Sequence, residues 1–217
     1  MAESVFVTGG TGYIGRRVVE TLGARGHRVR ALVRRGSEHK LPAGCEIVVA
    51  DPFDHSTFVH TVSARDTFLQ LLGVPHPSPA KAQQFIDIDL RSATESIVAA
   101  SAAGAGHFVY VSVAQPAPVM QAYQRARRQA EHTLELSGLR RTVVRPWYVL
   151  GPGHRWPYAL LPAYWVLERV PATRDGARRL GLVTLEQMVA ALVRAVEHPP
   201  ERARIVAVPE IRAANHL

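Results

Sequence analysis

The sequence has little cysteine, comparatively few acidic residues and no long apolar run, and each shortage excludes a class of protein. One cysteine, Cys45, among 217 residues excludes an intrachain disulfide framework and a metal site made of cysteines alone. The apolar stretch Leu160–Val170 contains a proline and a glutamate, and it is far shorter than the roughly 20 residues that span a bilayer. The first residues lack the basic and apolar pattern of a secretion signal. We therefore expect a cytoplasmic protein with no membrane segment.

Acidic residues are outnumbered by basic ones, which raises the question of a nucleic-acid partner. The chain has 26 Lys and Arg against 18 Asp and Glu, and its isoelectric point is about 10.3. The basic residues are scattered in pairs such as Arg16-Arg17 and Arg178-Arg179, with no long run and no zinc-finger spacing. This pattern disfavours nucleic-acid binding. An arginine-rich solvated surface, or a basic pocket for an anionic cofactor, accounts for the excess.

Short apolar runs rich in Val and Ile alternate with segments of helical periodicity. Near-continuous apolar strands that alternate with helices are typical of a parallel sheet covered on both faces. The predicted fold class is therefore α/β, a doubly wound (Rossmann) parallel sheet. The predicted strands are Val5–Thr8, Arg28–Val33, Glu46–Ala50, Thr67–Leu72, Phe108–Ser112, Thr142–Arg145 and Ile205–Val208. The predicted helices cover residues 13–25, 82–103 (with Ile86, Leu90, Ala93, Ile97 and Ala100 on one face) and 120–137, and a further helix opens at the capping box Thr184–Gln187.

The alternation of apolar runs with helical segments stops at Pro146 and returns after Gly181. The intervening segment is rich in proline, tryptophan and tyrosine. We predict a single domain over residues 1–217, with residues 147–181 as a small elaboration on the substrate side of the sheet.

A glycine-rich turn lies between the first predicted strand and the first predicted helix. Its glycines are spaced Gly9-x-x-Gly12-x-x-Gly15. Glycine is required where a turn is tight and where the backbone approaches a pyrophosphate, and a helix N-terminus then offers free N–H groups. The predicted phosphate-binding residues are Gly9, Thr11, Gly12, Tyr13, Ile14 and Gly15.

This turn resembles the TGxxGxxG signature of extended and atypical short-chain dehydrogenases/reductases, especially the compact NmrA-like and NAD-dependent epimerase-dehydratase-like members. Four further segments resemble that superfamily, so the resemblance covers about residues 3–153. They are Val48–Asp54, Phe108–Ser112, Tyr123-x-x-x-Arg127-x-x-x-Glu131 and Val144–Gly153. The resemblance implies a nicotinamide cofactor, with Asp51 beside its adenine. The further predicted cofactor-binding residues are Pro52, Leu72, Gly73, Pro146, Trp147, Tyr148 and Val149.

The end of the second predicted strand bears on the choice between the two nicotinamide cofactors. An NAD site usually carries an acidic residue there, which accepts a hydrogen bond from the ribose 2′-hydroxyl. Here the strand ends in Arg34-Arg35, and no acidic residue occurs between Glu20 and Glu38. Guanidinium groups bind a 2′-phosphate through paired hydrogen bonds. We therefore favour NADP(H) over NAD(H); the alternative is that both arginines are exposed charges at a strand end.

The resemblance implies a tyrosine as acid/base, a neighbouring lysine that lowers its pKa, and a serine that orients the substrate. Tyr123 keeps its place, but Arg127 stands where the lysine is expected. The nearest serine is Ser112, and Val113-Ala114 occupies the place where the catalytic serine usually lies. Tyr123, Arg127 and Ser112 are therefore the predicted catalytic residues of an incomplete constellation. A packing role for Tyr123 and a strand-end role for Ser112 remain open.

Three predicted loops should meet beyond the carboxyl ends of the strands, where ligands bind in sheets of this kind. They are Leu72–Pro79, Ser112–Met120 and Pro146–Tyr158, which carry His76, Trp147, Tyr148, His154, Arg155, Trp156 and Tyr158. These residues predict an aromatic pocket for a flat or apolar small molecule; a hydrophobic plug or a dimer contact is the alternative. The ten histidines show no HxH or HExxH pair, so we expect no metal.

Together these features predict an NADPH-dependent oxidoreductase that transfers hydride to a small carbonyl, quinone or flavin-like substrate, as a monomer or homodimer. The alternative is an NADP(H)-binding redox sensor without catalysis that acts through a protein partner. A second alternative is a compact flavin or quinone reductase, in which hydride transfer needs little acid/base help from the protein.

Overall fold

The computed structural model describes residues 3–151, 167 and 169–214. Seven parallel strands form the main sheet, and two short parallel strands form a second one. The strands are β1 (Ser4–Thr8), β2 (Arg28–Val33), β3 (Glu46–Val49), β4 (Asp66–Gln70), β5 (His107–Val111), β6 (Arg141–Arg145), β7 (Tyr148–Leu150), β8 (Leu182–Thr184) and β9 (Ala203–Ala207). The α-helices are α1 (Tyr13–Ala24), α2 (Ala82–Gln84), α3 (Arg91–Ala102), α4 (Gln121–Leu136), α5 (Pro171–Arg179), α6 (Leu185–Glu197) and α7 (Val208–Ala213).

The order of the main sheet is β3-β2-β1-β4-β5-β6-β9, which confirms the predicted doubly wound fold. The chain leaves β1 toward β2 on one side, and β4 returns to pair with β1 on the other side. The carboxyl ends of β1 and β4 therefore diverge into a crevice, which is where such sheets bind ligands. At this end of β1, Thr8 pairs with Leu32 of β2 and with Gln70 of β4.

Both faces of the sheet are covered, so the central strands bury apolar side chains on both faces. Helices α1 and α6 pack on one face, where Val18, Leu22 and Leu192 are fully buried. Helices α3 and α4 cover the other face. On that face the rings of Phe6, Phe68 and Phe108 form a ladder across β1, β4 and β5, with centroids 5.1 Å and 5.2 Å apart.

The long helix predicted over residues 82–103 is present, but its buried face differs from the prediction. A wide π-helical turn, Phe85–Leu90, joins α2 to α3. Because a π turn adds a residue to the helical repeat, the buried row begins at Phe85 and continues through Asp89. Ile86, predicted on the buried face, is 52% exposed. The prediction was wrong there, and the change of register brings an acidic side chain into the interior.

The segment after β6 contains regular structure that the sequence pattern did not predict. β7 pairs with β8 in parallel, so that Tyr148 lies opposite Leu182. The predicted capping box is present: Gln187 N–H donates to the Thr184 hydroxyl at 3.1 Å, and Thr184 N–H donates to the Gln187 side chain at 2.9 Å. Of the predicted elaboration, residues 152–166 and 168 lie outside the described part of the chain. No helix of the described residues has the length and apolarity to cross a membrane.

Candidate cofactor and active site

The glycine-rich turn follows β1 directly and leads into α1. Gly9 has a φ of +76°, and Gly12 N–H donates to Gly9 O at 3.0 Å to close the turn. A Cβ at Gly15 would overlap Gly9 O, so glycine is required there for the turn itself. Gly12 is the N-cap of α1, and the first turn of α1 has neither a side-chain cap nor an acidic residue. Its N–H groups are therefore available to an anion, which is the arrangement that a pyrophosphate needs.

The residues predicted to bind the adenosine end of the cofactor lie at the ends of β2 and β3. Arg34 and Arg35 are exposed, and neither guanidinium group makes a hydrogen bond or ion pair with any residue that the structure describes. Their positive charges stand beside the carboxyl end of β1, because β1 and β2 are paired in register. Asp51 is exposed after β3, and its carboxylate accepts from Phe53 N–H at 2.9 Å. The end of β2 thus offers two uncompensated cations to an anionic group.

A cleft of about 420 Å³ runs from the glycine turn across the carboxyl ends of β4, β5 and β6. Its walls bring together most of the predicted cofactor residues and all three predicted catalytic residues. The predicted residues in its walls are Gly9, Gly12, Tyr13, Ile14, Gly15, Gly73, Ser112, Tyr123, Arg127, Pro146, Trp147, Tyr148 and Val149. Leu72 packs its backbone against Gly9 instead. Thr11, Arg34, Arg35, Asp51 and Pro52 lie outside the walls of this cleft.

The wall opposite the glycine turn is apolar apart from a few side chains. The residues that complete it are Leu71, Val74, Pro75, His76, Pro77, Val111, Val113 and Met120. His76 has a φ of +50° in the loop after β4. The rings of Trp147 and Tyr148 meet edge to face, with centroids 5.5 Å apart, so part of the predicted aromatic group is in place. His154, Arg155, Trp156 and Tyr158 lie outside the described residues.

Tyr123 lies on α4 with its ring against Phe85, at a centroid distance of 4.9 Å. Burial raises the pKa of the Tyr123 phenol above its ordinary value, although the nearby Arg127 acts in the opposite direction. Burial likewise raises the pKa of Tyr110 on β5 to about 12. Both phenols are therefore protonated at neutral pH.

Arg127 follows Tyr123 by one helical turn and is only 5% exposed. Its guanidinium lies between two phenol rings, 5.1 Å from the centroid of Tyr123 and 5.7 Å from that of Tyr110. It donates to Val111 O at 2.8 Å and to the Tyr110 hydroxyl at 3.3 Å, and it forms an ion pair with the buried carboxylate of Asp89. The other oxygen of Asp89 accepts from Val74 N–H at 3.0 Å.

Ser112 is the first residue after β5 and is 2% exposed. Its hydroxyl donates to Glu131 of α4, a carboxylate that also accepts from Arg145 and from the Gln115 side chain. With its proton directed to Glu131, the Ser112 oxygen can accept a hydrogen bond from a ligand but has no proton to offer to a substrate carbonyl. Val113, the next residue, offers only a methyl surface to the cleft.

Sequence reasoning missed Asp89, which is the charged partner of Arg127. The available signal was an acidic residue four positions after Phe85 and four before Ala93, within a row of apolar and small residues. Glu131 appeared only as part of the motif that resembles the superfamily, and nothing in the sequence indicated that it binds Ser112. The apolar residues Leu71 and Val111 were also missed as cleft walls, because they flank strand ends.

Comparisons with known proteins agree with this geometry. The family described as NAD(P)H-binding matches residues 9–158. A 3-diazoavenalumate denitrifying reductase from a Streptomyces species is 31% identical in an alignment that covers 89% of this chain and 72% of that protein. The ceramide reductase of Caulobacter vibrioides is 29% identical over 69% of this chain and 47% of its own length. A divinyl chlorophyllide a 8-vinyl-reductase of Zea mays is 32% identical over 66% of this chain and 39% of its own length. The chain thus spans less than half the length of the last two relatives.

Solved structures show the same fold. The Bordetella bronchiseptica enzyme WbmH in complex with NAD+ superposes with a TM-score of 0.71 at 20% identity, over 98% of this chain and 80% of that one. A UDP-N-acetylglucosamine 4-epimerase from Bacillus cereus gives a TM-score of 0.69 at 16% identity, over 98% and 84%. Because the family model matches most of the chain, the protein belongs to the NAD(P)H-binding family, and its fold is that of the short-chain dehydrogenase/reductase structures.

Proposed function

We propose that this protein is an NADPH-dependent reductase of a small, uncharged, conjugated or carbonyl-containing molecule. The observation that carries the proposal is the single cleft that joins a free helix N-terminus to a buried phenol. One end of the cleft suits the pyrophosphate of a dinucleotide, and the other end is walled by apolar side chains. The whole site is assembled at the crevice where doubly wound sheets bind nucleotides.

NADPH rather than NADH is proposed because of the charges at the end of β2. Arg34 and Arg35 are exposed, and their guanidinium groups have no partner among the described residues. A 2′-phosphate would supply the missing anion, whereas a ribose hydroxyl would leave both charges uncompensated. The glycine turn, Asp51 and the residues after β4 and β6 are proposed to hold the rest of the cofactor.

The chemistry has two parts, a hydride and a proton. A bound reduced nicotinamide supplies the hydride. Tyr123 holds a proton at its phenol oxygen, and its raised pKa keeps that proton in place at neutral pH. A phenol in this state donates to an acceptor that gains a hydride, but it does not remove a proton from an alcohol. The proposed direction is therefore reduction, which agrees with the three relatives named above, all of them reductases.

Cofactor choice is tested by calorimetry with NADPH and NADH. We expect NADPH to bind at least about tenfold more tightly, because a charged hydrogen bond contributes about 1.5–3 kcal/mol. Arg34→Ala should remove most of this difference. Arg65→Ala is the matched control, because Arg65 is exposed just before the amino end of β4, whereas Arg34 lies at the carboxyl ends of the strands. Equal affinities for the two cofactors in the native protein would rule out the proposed preference.

Turnover is tested by following NADPH oxidation against enones, aldehydes, quinones and flavins. The competing function is an NADP(H) sensor, which binds the cofactor with the same preference but reduces none of these acceptors. Calorimetry with NADPH and the turnover screen together separate three outcomes: a reductase, a sensor, and a protein that does not bind the dinucleotide.

A further inference from the structure

The two terminal nitrogens of Arg127 are already bound to protein groups. One donates to Val111 O and the Tyr110 hydroxyl, and the other is paired with Asp89. Both N–H groups of Nη1 are thus occupied, so a hydrogen bond from Nη1 to a cofactor hydroxyl would have to displace one of them, whereas Nη2 keeps a second N–H and Nε has no partner among the described residues. The Arg127 side chain therefore connects separate elements of the fold.

The elements that this arginine connects are the ones that form the cleft. Asp89 belongs to the π-helical turn, Arg127 to α4 and Val111 to the end of β5. The second oxygen of Asp89 accepts from Val74 N–H, in the loop that forms the cleft wall after β4. At the neighbouring residue, Gly73, a Cβ would overlap the guanidinium. The missing side chain at position 73 thus makes room for the arginine.

The ion pair also decides what charge Tyr123 experiences. A cation this close to a phenol normally favours the phenolate. Here the fully buried carboxylate of Asp89 offsets part of the effect of that cation, so burial sets the direction in which the Tyr123 pKa moves. The other titratable groups that face this region are Tyr110 on β5 and, in the cleft walls, Tyr13, His76 and Tyr148. Arg127 and Asp89 are the charged groups that act on the Tyr123 phenol among the described residues.

We propose that Asp89 is the positioning residue of this site: it holds Arg127 as an internal clamp between α4, β5 and the loop after β4, and by offsetting part of the arginine charge it allows burial to keep Tyr123 a neutral proton donor. The role of Tyr123 toward a substrate rests on the proposed function, whereas the clamp does not. In this arrangement Arg127 positions the site without binding the cofactor.

The first test is a tyrosine titration by NMR with ¹³Cζ-labelled tyrosine, in which Tyr123→Phe assigns the resonance among the six tyrosines. In the native protein Tyr123 should titrate above its ordinary pKa. In Asp89→Asn the unpaired arginine should lower the Tyr123 pKa by at least about one unit. Asp87→Asn is the matched control, because Asp87 lies in the same π-helical turn but is exposed. It should leave the titration unchanged.

The second test asks whether Arg127 binds the cofactor. The charge-neutral double variant Asp89→Asn with Arg127→Gln removes the pair as a unit. We expect its dissociation constant for NADPH to stay within about threefold of the native value, with the raised pKa of Tyr123 restored. A loss of affinity beyond about tenfold, with a native circular dichroism spectrum, would show that Arg127 is a cofactor ligand and overturn the clamp.

Neither measurement needs turnover, so the proposed reductase activity can fail without affecting them. A Tyr123 that titrates below its ordinary pKa in the native protein overturns the proposal even if Asp89→Asn does not fold. Where activity is found, the pH profile of kcat/KM adds a third readout. Its alkaline limb should move to lower pH in Asp89→Asn and return in the double variant; a limb that stays in place in Asp89→Asn would count against the proposal.

Discussion

Gly12→Ala separates the two tasks of the glycine turn, its own folding and the binding of a pyrophosphate. The backbone of Gly12 has a φ of −78° and a ψ of 174°, which alanine adopts without strain. A Cβ there would meet one atom, Gly9 O, at 3.2 Å. Because alanine is also a poorer N-cap than glycine, we expect a loss of up to about 1 kcal/mol in the free energy of unfolding. The melting temperature should then fall by about 2–4 °C for a chain of this size.

The effect on cofactor affinity should be much larger. The added methyl group stands at the entrance to the free N–H groups of α1, where the pyrophosphate is proposed to lie. A single charged hydrogen bond contributes about 1.5–3 kcal/mol, so its loss weakens NADPH binding by roughly 10- to 100-fold. Calorimetry measures the affinity, and scanning calorimetry measures the melting temperature of the same sample.

Two other glycines provide matched controls. Gly23 lies inside α1 with nothing within 4 Å of an added Cβ, so Gly23→Ala should stabilise the protein by about 0.5–1 kcal/mol and leave NADPH binding unchanged. Gly15→Ala should instead destabilise the protein by about 1–3 kcal/mol, because its Cβ would overlap Gly9 O. If Gly12→Ala keeps native affinity for NADPH while it melts normally, the turn is not the pyrophosphate site.

Three further predictions concern stability. The unfolding free energy of the native protein should fall between about pH 7 and pH 5, and in His107→Gln this fall should be smaller by roughly 2 kcal/mol, as measured by urea denaturation. Burial, with a smaller effect of Arg140, lowers the pKa of His107 from 6.5 to about 4. Between these two pH values the unfolded chain binds a proton that the folded protein does not. The contribution of His107 to stability is therefore present above the pKa of the unfolded chain and is lost as the pH falls toward the pKa of the folded protein. Thr184→Ala should lower the unfolding free energy by about 1 kcal/mol through loss of the capping box, and an unchanged melting temperature would contradict this. Gly73→Ala should lower it by about 1–3 kcal/mol, since its methyl group would collide with Arg127, whereas Gly23→Ala should not.

The parts of the fold that could be predicted are those with local causes. The glycine turn, the apolar strands and the capping box each depend on residues within one short stretch of chain, so their patterns are visible in the sequence. The predicted strand Thr67–Leu72 begins and ends later than the observed β4, Asp66–Gln70. This small difference matters at the site, because it leaves Leu71 and Leu72 outside the strand and beside the glycine turn.

The parts that could not be predicted depend on contacts between distant segments. Asp89 and Arg127 are 38 residues apart, and they meet only because the π-helical turn rotates Asp89 into the interior. Helical periodicity without that turn places Ile86 inside instead. The pairing of β7 with β8 likewise places Tyr148 opposite Leu182, and the sequence between them has no regular alternation that predicts either strand. Spacing within the motif located Tyr123 and Arg127 on one helix face, but it could not reveal which group neutralises the arginine.

The reaction itself is best resolved by Tyr123→Phe measured against two kinds of acceptor. With a simple carbonyl the incoming hydride leaves an alkoxide that needs a proton at once, so the loss of the phenol should lower turnover by about 100-fold. With a quinone or a flavin the reduced product is a much weaker base and can take its proton from water, so the same variant should lose less than about threefold. NADPH affinity should change little in either case, because the ring of Tyr123 that packs on Phe85 is retained. Equal losses with both acceptors would show that Tyr123 acts by packing alone, and they would remove the proton-donor step from the proposed mechanism.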